Sequence, residues 1–213
     1  YNKALRYLKQ MKKTLVSIAL LLILAGCGPA IKHTLSPEYG QISPKKVVIL
    51  PVVWEMKSVQ ETEAISLLFR KMSLEKLRSL NYAPVSLDEV DKAGEGVSDW
   101  FVGKPVHEIA GKLNADSVLF IRVTDWDPDS FISYKSLEIA ASFELASALG
   151  KSLWKAEFST KEADLGLDSR PMELAVQKIY EPRIQRFVDA VFTTLPPGEA
   201  KAGQRKTYFQ WLP

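Results

Sequence analysis

The 213-residue sequence is poor in the side chains that most often carry chemistry, with one cysteine, Cys27, and two histidines, His33 and His107. A single cysteine excludes an internal disulfide and a sulfur-rich zinc site. Nucleophilic catalysis with a histidine base would rest on His107 alone, because His33 falls in a stretch punctuated by Pro29, Pro37 and Pro44. His107, beside Glu108, reads as an ordinary surface or half-buried histidine. The glycines form neither a phosphate-cradling loop nor a dinucleotide fingerprint. A run of the roughly 20 apolar residues needed to span a bilayer as a helix is also missing.

What the sequence does have is concentrated near its start. Lys12 and Lys13 follow Met11, residues Thr14 to Leu24 are apolar, and Leu24-Ala25-Gly26-Cys27 closes the segment on the one cysteine. A positive start, a short apolar run and small residues before a cut are the parts of an export signal. The ten residues before Met11 fit that leader poorly. Translation is therefore expected to start at Met11, with residues 1–10 an artefact and 11–26 the signal.

Leu-Ala-Gly-Cys resembles the processing site of bacterial lipoproteins. That resemblance implies cleavage after Gly26 and a diacylglyceryl group on the sulfur of Cys27. Two or more acyl chains hold a protein stably at a membrane where one does not. Gly28, in place of the aspartate associated with inner-membrane retention, implies the outer membrane, facing the periplasm. Removing residues 1–26 takes away five bases and no acid. The remainder has 23 bases against 25 acids, where the whole chain has 28 against 25. The basic balance belongs to the leader, and a nucleic-acid-binding reading loses its support.

Residues 27–45 read as the anchor and a flexible tether. Val47 to Leu50 is a continuous apolar run, as expected of a strand buried on both faces, limited by Pro51. A helix is expected over Gln60–Leu80 and a short strand over Tyr82–Val85. Ser86 and Glu89 have capping-box spacing. A second helix spans Pro105–Leu113 with Asn114 at its end, and a strand follows over Ser117–Val123. Two more strands, Leu137–Ala148 and Ser152–Ser159, join at Leu149-Gly150-Lys151, where glycine suits a tight hairpin. A last helix covers Pro171–Thr194, kinked or broken at Pro182. The order β-α-β-α-β-β-β-α predicts one α/β domain over residues 46–195, with a mixed parallel and antiparallel sheet packed by helices. Residues 196–213 form a tail.

Several segments carry a family resemblance in order. They are Val47-Val48-Ile49-Leu50-Pro51, Leu80-Asn81-Tyr82 with Pro84-Val85, Leu113 through Phe120, and Gly150 through Ala156. Together they resemble the envelope lipoproteins of domain-of-unknown-function family 799, similar in fold to the TolB N-terminal domain and to CsgG-type curli-secretion lipoproteins. The resemblance implies an envelope protein without known catalysis and brings no catalytic residues with it.

Candidate sites are then matters of surface. On the long helix, Ile65, Leu68, Phe69, Met72 and Leu80 share a face that should pack on the sheet. Leu67 and Leu74 lie opposite, beside Arg70, Lys71 and Arg78. That pair is either covered by the tether or last helix, or forms a partner-docking seam. Trp100 and Phe101, in a glycine-rich segment, either close over the core or form a binding lip. Asp125-Trp126-Asp127-Pro128-Asp129 suggests a calcium loop, but Ser130 and Ser136 stand where such a loop needs glycine and glutamate, so a turn is expected. The apolar stretch Thr207–Pro213 either folds back as an edge strand or offers a peptide for strand addition.

The expectation is a non-catalytic, lipid-anchored module, with neither metal nor cofactor, that binds other envelope proteins in an outer-membrane secretion or assembly complex. A CsgG-like lipoprotein is one candidate partner. Activation of a peptidoglycan synthase is one alternative. A small-ligand or hydrolytic envelope protein is another.

Overall fold

A computed structural model describes residues 31–56, 62–94, 101, 103–127, 136–163 and 176–198. The elements run β1 (Lys32–Leu35), α1 (Tyr39–Ile42), β2 (Lys46–Ile49), β3 (Val53–Trp54), α2 (Thr62–Ser79), β4 (Ala83–Pro84), α3 (Leu87–Ala93), α4 (Val106–Lys112), β5 (Ser117–Asp127), β6 (Ser136–Ser147), β7 (Ser152–Ala163) and α5 (Val176–Phe192). One seven-stranded sheet has the order β1-β7-β6-β5-β2-β4, with β3 also pairing with β5. Strands β2, β3, β4 and β5 are parallel, whereas β5-β6-β7-β1 is antiparallel throughout. The mixed α/β domain expected from the element order is present.

Crossover helices explain why the two halves of the sheet are dressed differently. Val47, Ile49, Leu119 and Ile121 face one core with α2 and α5, while Val48, Leu50 and Val118 face a second core with α3 and α4. Burial on both faces is what the unbroken apolar run of β2 requires. Strands β6 and β7 instead alternate, turning Ile139, Phe143, Leu145 and Trp154 toward α5 and Glu144 and Lys155 outward. Phe143 packs edge-on against Phe192 and beside Phe187.

Three departures from the expected elements have local causes. The stretch read as a tether joins the sheet from residue 32. There β1 pairs with β7, Lys32 opposite Glu157 and Leu35 opposite Trp154, and α1 follows. Pro51 interrupts the first strand without ending its partnership, because Val53 and Trp54 resume pairing with the same β5. The run Asp125–Asp127 is strand, not turn. A bulge between Val123 and Asp125 shifts the phase of β5, so that Trp126 enters the core. There it meets Trp54 and Tyr180 edge-on. Asp129 lies outside the described residues.

Several motif residues prove to be fasteners. Ser86 caps α3 by accepting from the Glu89 N–H. Asn81 and Asn114 adopt the left-handed conformation after α2 and α4, at φ of 67° and 47°. Gly150 supplies φ of 80° at the hairpin join. The Asp116 carboxylate accepts the N–H groups of Lys45 and Lys46 at 2.9–3.1 Å, pinning the start of β2. Trp154 is buried and donates its indole N–H to Thr194 at 3.1 Å. Pro182 lies inside α5 without ending it.

The beginning of the tail is held as well. The Tyr82 hydroxyl donates to the Pro196 carbonyl at 2.6 Å and is hydrogen-bonded to Tyr39. Burial pushes both phenols above their ordinary range, for Tyr82 reinforced by its bond to Tyr39. The Gly198 N–H reaches the Leu80 carbonyl at 2.8 Å. Residues 199–213, with the apolar Thr207–Pro213, lie outside the described residues.

Candidate interaction surface

The α2 seam expected from Leu67 and Leu74 is split by the structure. Leu67 is 47% exposed but Leu74 is 8% exposed and belongs to the core with α5. Of the three cations beside them, Lys71 and Arg78 are exposed and Arg70 is buried.

Arg70 is buried because β4 is short. At and just before β2, the carbonyls of Val47 and Lys45 point toward β4 and accept from Val85 and Ala83. The next carbonyl on that side is Ile49, one step past the end of β4. Arg70 Nη2 donates to it at 3.4 Å and to Asp91 of α3 at 2.7 Å. The guanidinium therefore finishes the edge of the parallel sheet and ties α2 on one face to α3 on the other. This encloses the side of α2 that carries Arg70, while Leu74, one turn on, is buried in the first core. The periodicity placed both residues correctly on the helix; it carried no information about a neighbour folding around the sheet edge.

Of the expected seam, Leu67, Lys71 and Arg78 stay open, alongside the exposed Glu63, Glu75 and Ser79 of the same helix. Lys76, further along the same helix, is tied to Asp189 of α5 at 2.8 Å. Phe101 is buried with Val48, Leu50 and Val90, so it closes over the second core and does not form a lip. Trp100 lies outside the described residues, as do Gly26 and Cys27. His33 is exposed in β1, where its ring contacts the Ile31 carbonyl at 3.2 Å. His107 is exposed on α4, and Asp125 on β5. Among the described residues no group of three or more His, Cys, Asp or Glu side chains is placed to hold a metal, and no helix is long and apolar enough to cross a membrane.

One surface was not expected from the sequence, the outward face of β5-β6-β7-β1. Phe120, Glu144, Lys155 and Thr34 fall on one row across the four strands, and Arg122, Ser142, Glu157 and Lys32 on the next. Lys155 pairs with Glu157 at 2.8 Å and Arg122 with Glu55 at 3.3 Å. The hydrogen bond to Lys155 holds the Glu157 carboxyl below the usual carboxylate range and, reciprocally, raises Lys155. Where α4 borders these strands, Val106, Phe120, Glu144 and Lys155 line an open groove of about 250 Å³. Its alternation of signs was visible in the sequence, but only the strand register assembles it.

The fold, a mixed sheet with helices on both faces of its parallel half, is similar to that of two solved proteins, one of them a lipoprotein. Lipoprotein GNA1162 from Neisseria meningitidis superposes with a TM-score of 0.50 at 16% identity, over 71% of this chain and 99% of that one. A PelC dodecamer from Paraburkholderia phytofirmans gives 0.50 at 14% identity, over 80% and 99%. At such identity the likeness is one of fold. No protein-family model matches the chain, so membership of family 799 remains a resemblance. No curated protein matches by sequence either.

Proposed function

We propose that this chain is a lipoprotein of the bacterial outer membrane, anchored through Cys27, that works by binding other envelope proteins and not by catalysis. The observation that carries the reading is Leu24-Ala25-Gly26-Cys27 after a short apolar run, with a folded domain beginning within a few residues. A fold shared with a solved lipoprotein supports it. Confinement at a membrane raises the effective concentration of partners confined there too, so modest contacts suffice. A secretion or assembly complex containing a CsgG-like lipoprotein is the setting that fits the family resemblance.

The test is Cys27→Ser in the full chain. The wild type should incorporate labelled palmitate and fractionate with outer membrane, and the variant should do neither. Palmitate labelling of the variant would overturn the anchoring. Crosslinking in native membranes then identifies what the domain touches.

A further inference from the structure

The same anchor has a geometric consequence, and this inference rests on the acylation of Cys27 proposed above. Only five residue steps separate Cys27 from Lys32, the first residue of β1. At full extension they span about 18 Å. The headgroup layer of one leaflet takes up roughly 5–7 Å of that reach. Lys32 is thereby confined to within about 12 Å of the membrane surface.

Among the described residues, β1 is also the end of the sheet. Its four residues are all exposed, and its partner on one side is β7. The opposite edge, β4, lies five strand spacings away, about 24 Å. Helix α2 packs near that far edge, against β4 and β2, with α5 beside it. The helices also form a layer on one face of the sheet, about 10–12 Å thick with their side chains, and the strand backbones lie beyond it. An orientation with the α2–α5 layer against the bilayer would lift β1 above that layer and strain the reach. Either orientation that keeps β1 low, edge-down or with the outward face of β6 and β7 down, keeps the exposed side of α2 off the membrane.

We infer that the β1 edge of the sheet is held against the lipid headgroups, so that the exposed side of α2, with Leu67, Lys71 and Arg78, is presented to the periplasmic space. The occupant of the β1 edge is the bilayer surface itself. An uncovered strand edge invites pairing with other chains, and a membrane beside it limits that access. Charge does little of the work. On the neighbouring β7, Lys155 and Lys161 are each matched by a glutamate, at 2.8 and 3.4 Å, and Lys32 of β1 itself lies opposite Glu157. The orientation should therefore be insensitive to salt.

The experiment uses the full chain processed in cells and reconstituted into vesicles carrying a headgroup-attached quencher. Acylation blocks the Cys27 sulfur, so one introduced cysteine can be labelled with a fluorophore. Thr34→Cys reports on β1 and Lys71→Cys on α2. The Thr34→Cys label should be quenched several-fold more than the Lys71→Cys label, in low and high salt alike. Equal quenching, or stronger quenching on α2, overturns the inference. A 15-residue Gly/Ser insertion between Cys27 and Lys32 should erase the difference, and a difference that survives it overturns the reach as its cause. Mass spectrometry of the N-terminal peptide separates the two levels. An unacylated Cys27 brings down the proposed anchoring and this orientation together, whereas an acylated Cys27 with the wrong quenching pattern brings down the orientation alone.

Discussion

The parallel and antiparallel halves of this sheet are dressed in different ways, and the difference separates structure from surface. Strands β2 and β5, where they run side by side, are buried on both faces, under α2 and α5 on one side and α3 and α4 on the other. Strands β6 and β7 are covered by α5 on one face, and the other carries charge. Crossover helices cover parallel strands as a condition of connecting them, and a hairpin imposes no such cover. The motif residues that carried the family resemblance fall mostly at the seams of the parallel half or in the covered face of the hairpin, where they cap, pin and pack. Among the described residues, the surface left open includes the exposed side of α2 and the outward face of the hairpin.

The sharpest way to break this comparison is to mutate neighbours on one strand. Phe143 is fully buried between Phe187 and Phe192, and Glu144 is the next residue, facing outward. Phe143→Ala should cost about 3–5 kcal/mol, enough to jeopardise folding. Glu144→Ala should stay within about 0.5 kcal/mol. Chemical denaturation of both variants measures this, and similar losses would mean that the outward face is a second core.

The next largest effect lies at the edge of the parallel half. Arg70→Ala leaves the Ile49 carbonyl without its donor and Asp91 without its partner. Because Arg70 is buried while Asp91 is 44% exposed, the loss should be about 2 kcal/mol and not the full penalty of a buried pair. Lys71→Ala, one residue on but exposed, should be nearly silent. Equal effects on unfolding would dissolve the division between fastener and free surface on α2.

Much of the fold was legible because periodicity and turn chemistry agreed, as in β2, α2, the Ser86 cap and the hairpin at Gly150. The elements that escaped have physical reasons. In β1, Lys32-His33-Thr34-Leu35 shows no alternation because an edge strand exposed along its length has no buried face to record. β5 seemed to stop at Val123 because the bulge after it moves the inward position to Trp126. β3 is two residues after a proline, below the length at which any pattern forms. The candidate surface was legible by half. Helical spacing put Leu67 and Leu74 on one side of α2, but a two-residue β4 lets α3 reach Arg70, and nothing local to α2 encodes that.

The smallest effect, and the finest probe of the outward face, is expected at Lys155 and Glu157. Both are roughly half exposed, at 43% and 51%, so solvent screens the pair heavily. The folded state lowers the Glu157 pKa through the Lys155 hydrogen bond. Its small contribution is therefore present above the ordinary carboxylate range and lost as pH falls through the folded-state value. Glu157→Gln should change the melting temperature at pH 7 by no more than about one degree, and salt should remove even that. Melting curves of the purified domain at low and high salt test this. On vesicles or with a bound partner the expectation changes: if something dry covers β6 and β7, the lattice of alternating charges loses its water and each pair must be complete. A Glu157→Gln variant that melts normally alone but binds measurably more weakly would assign the outward face to an interface, leaving the parallel half of the sheet as the scaffold that presents it.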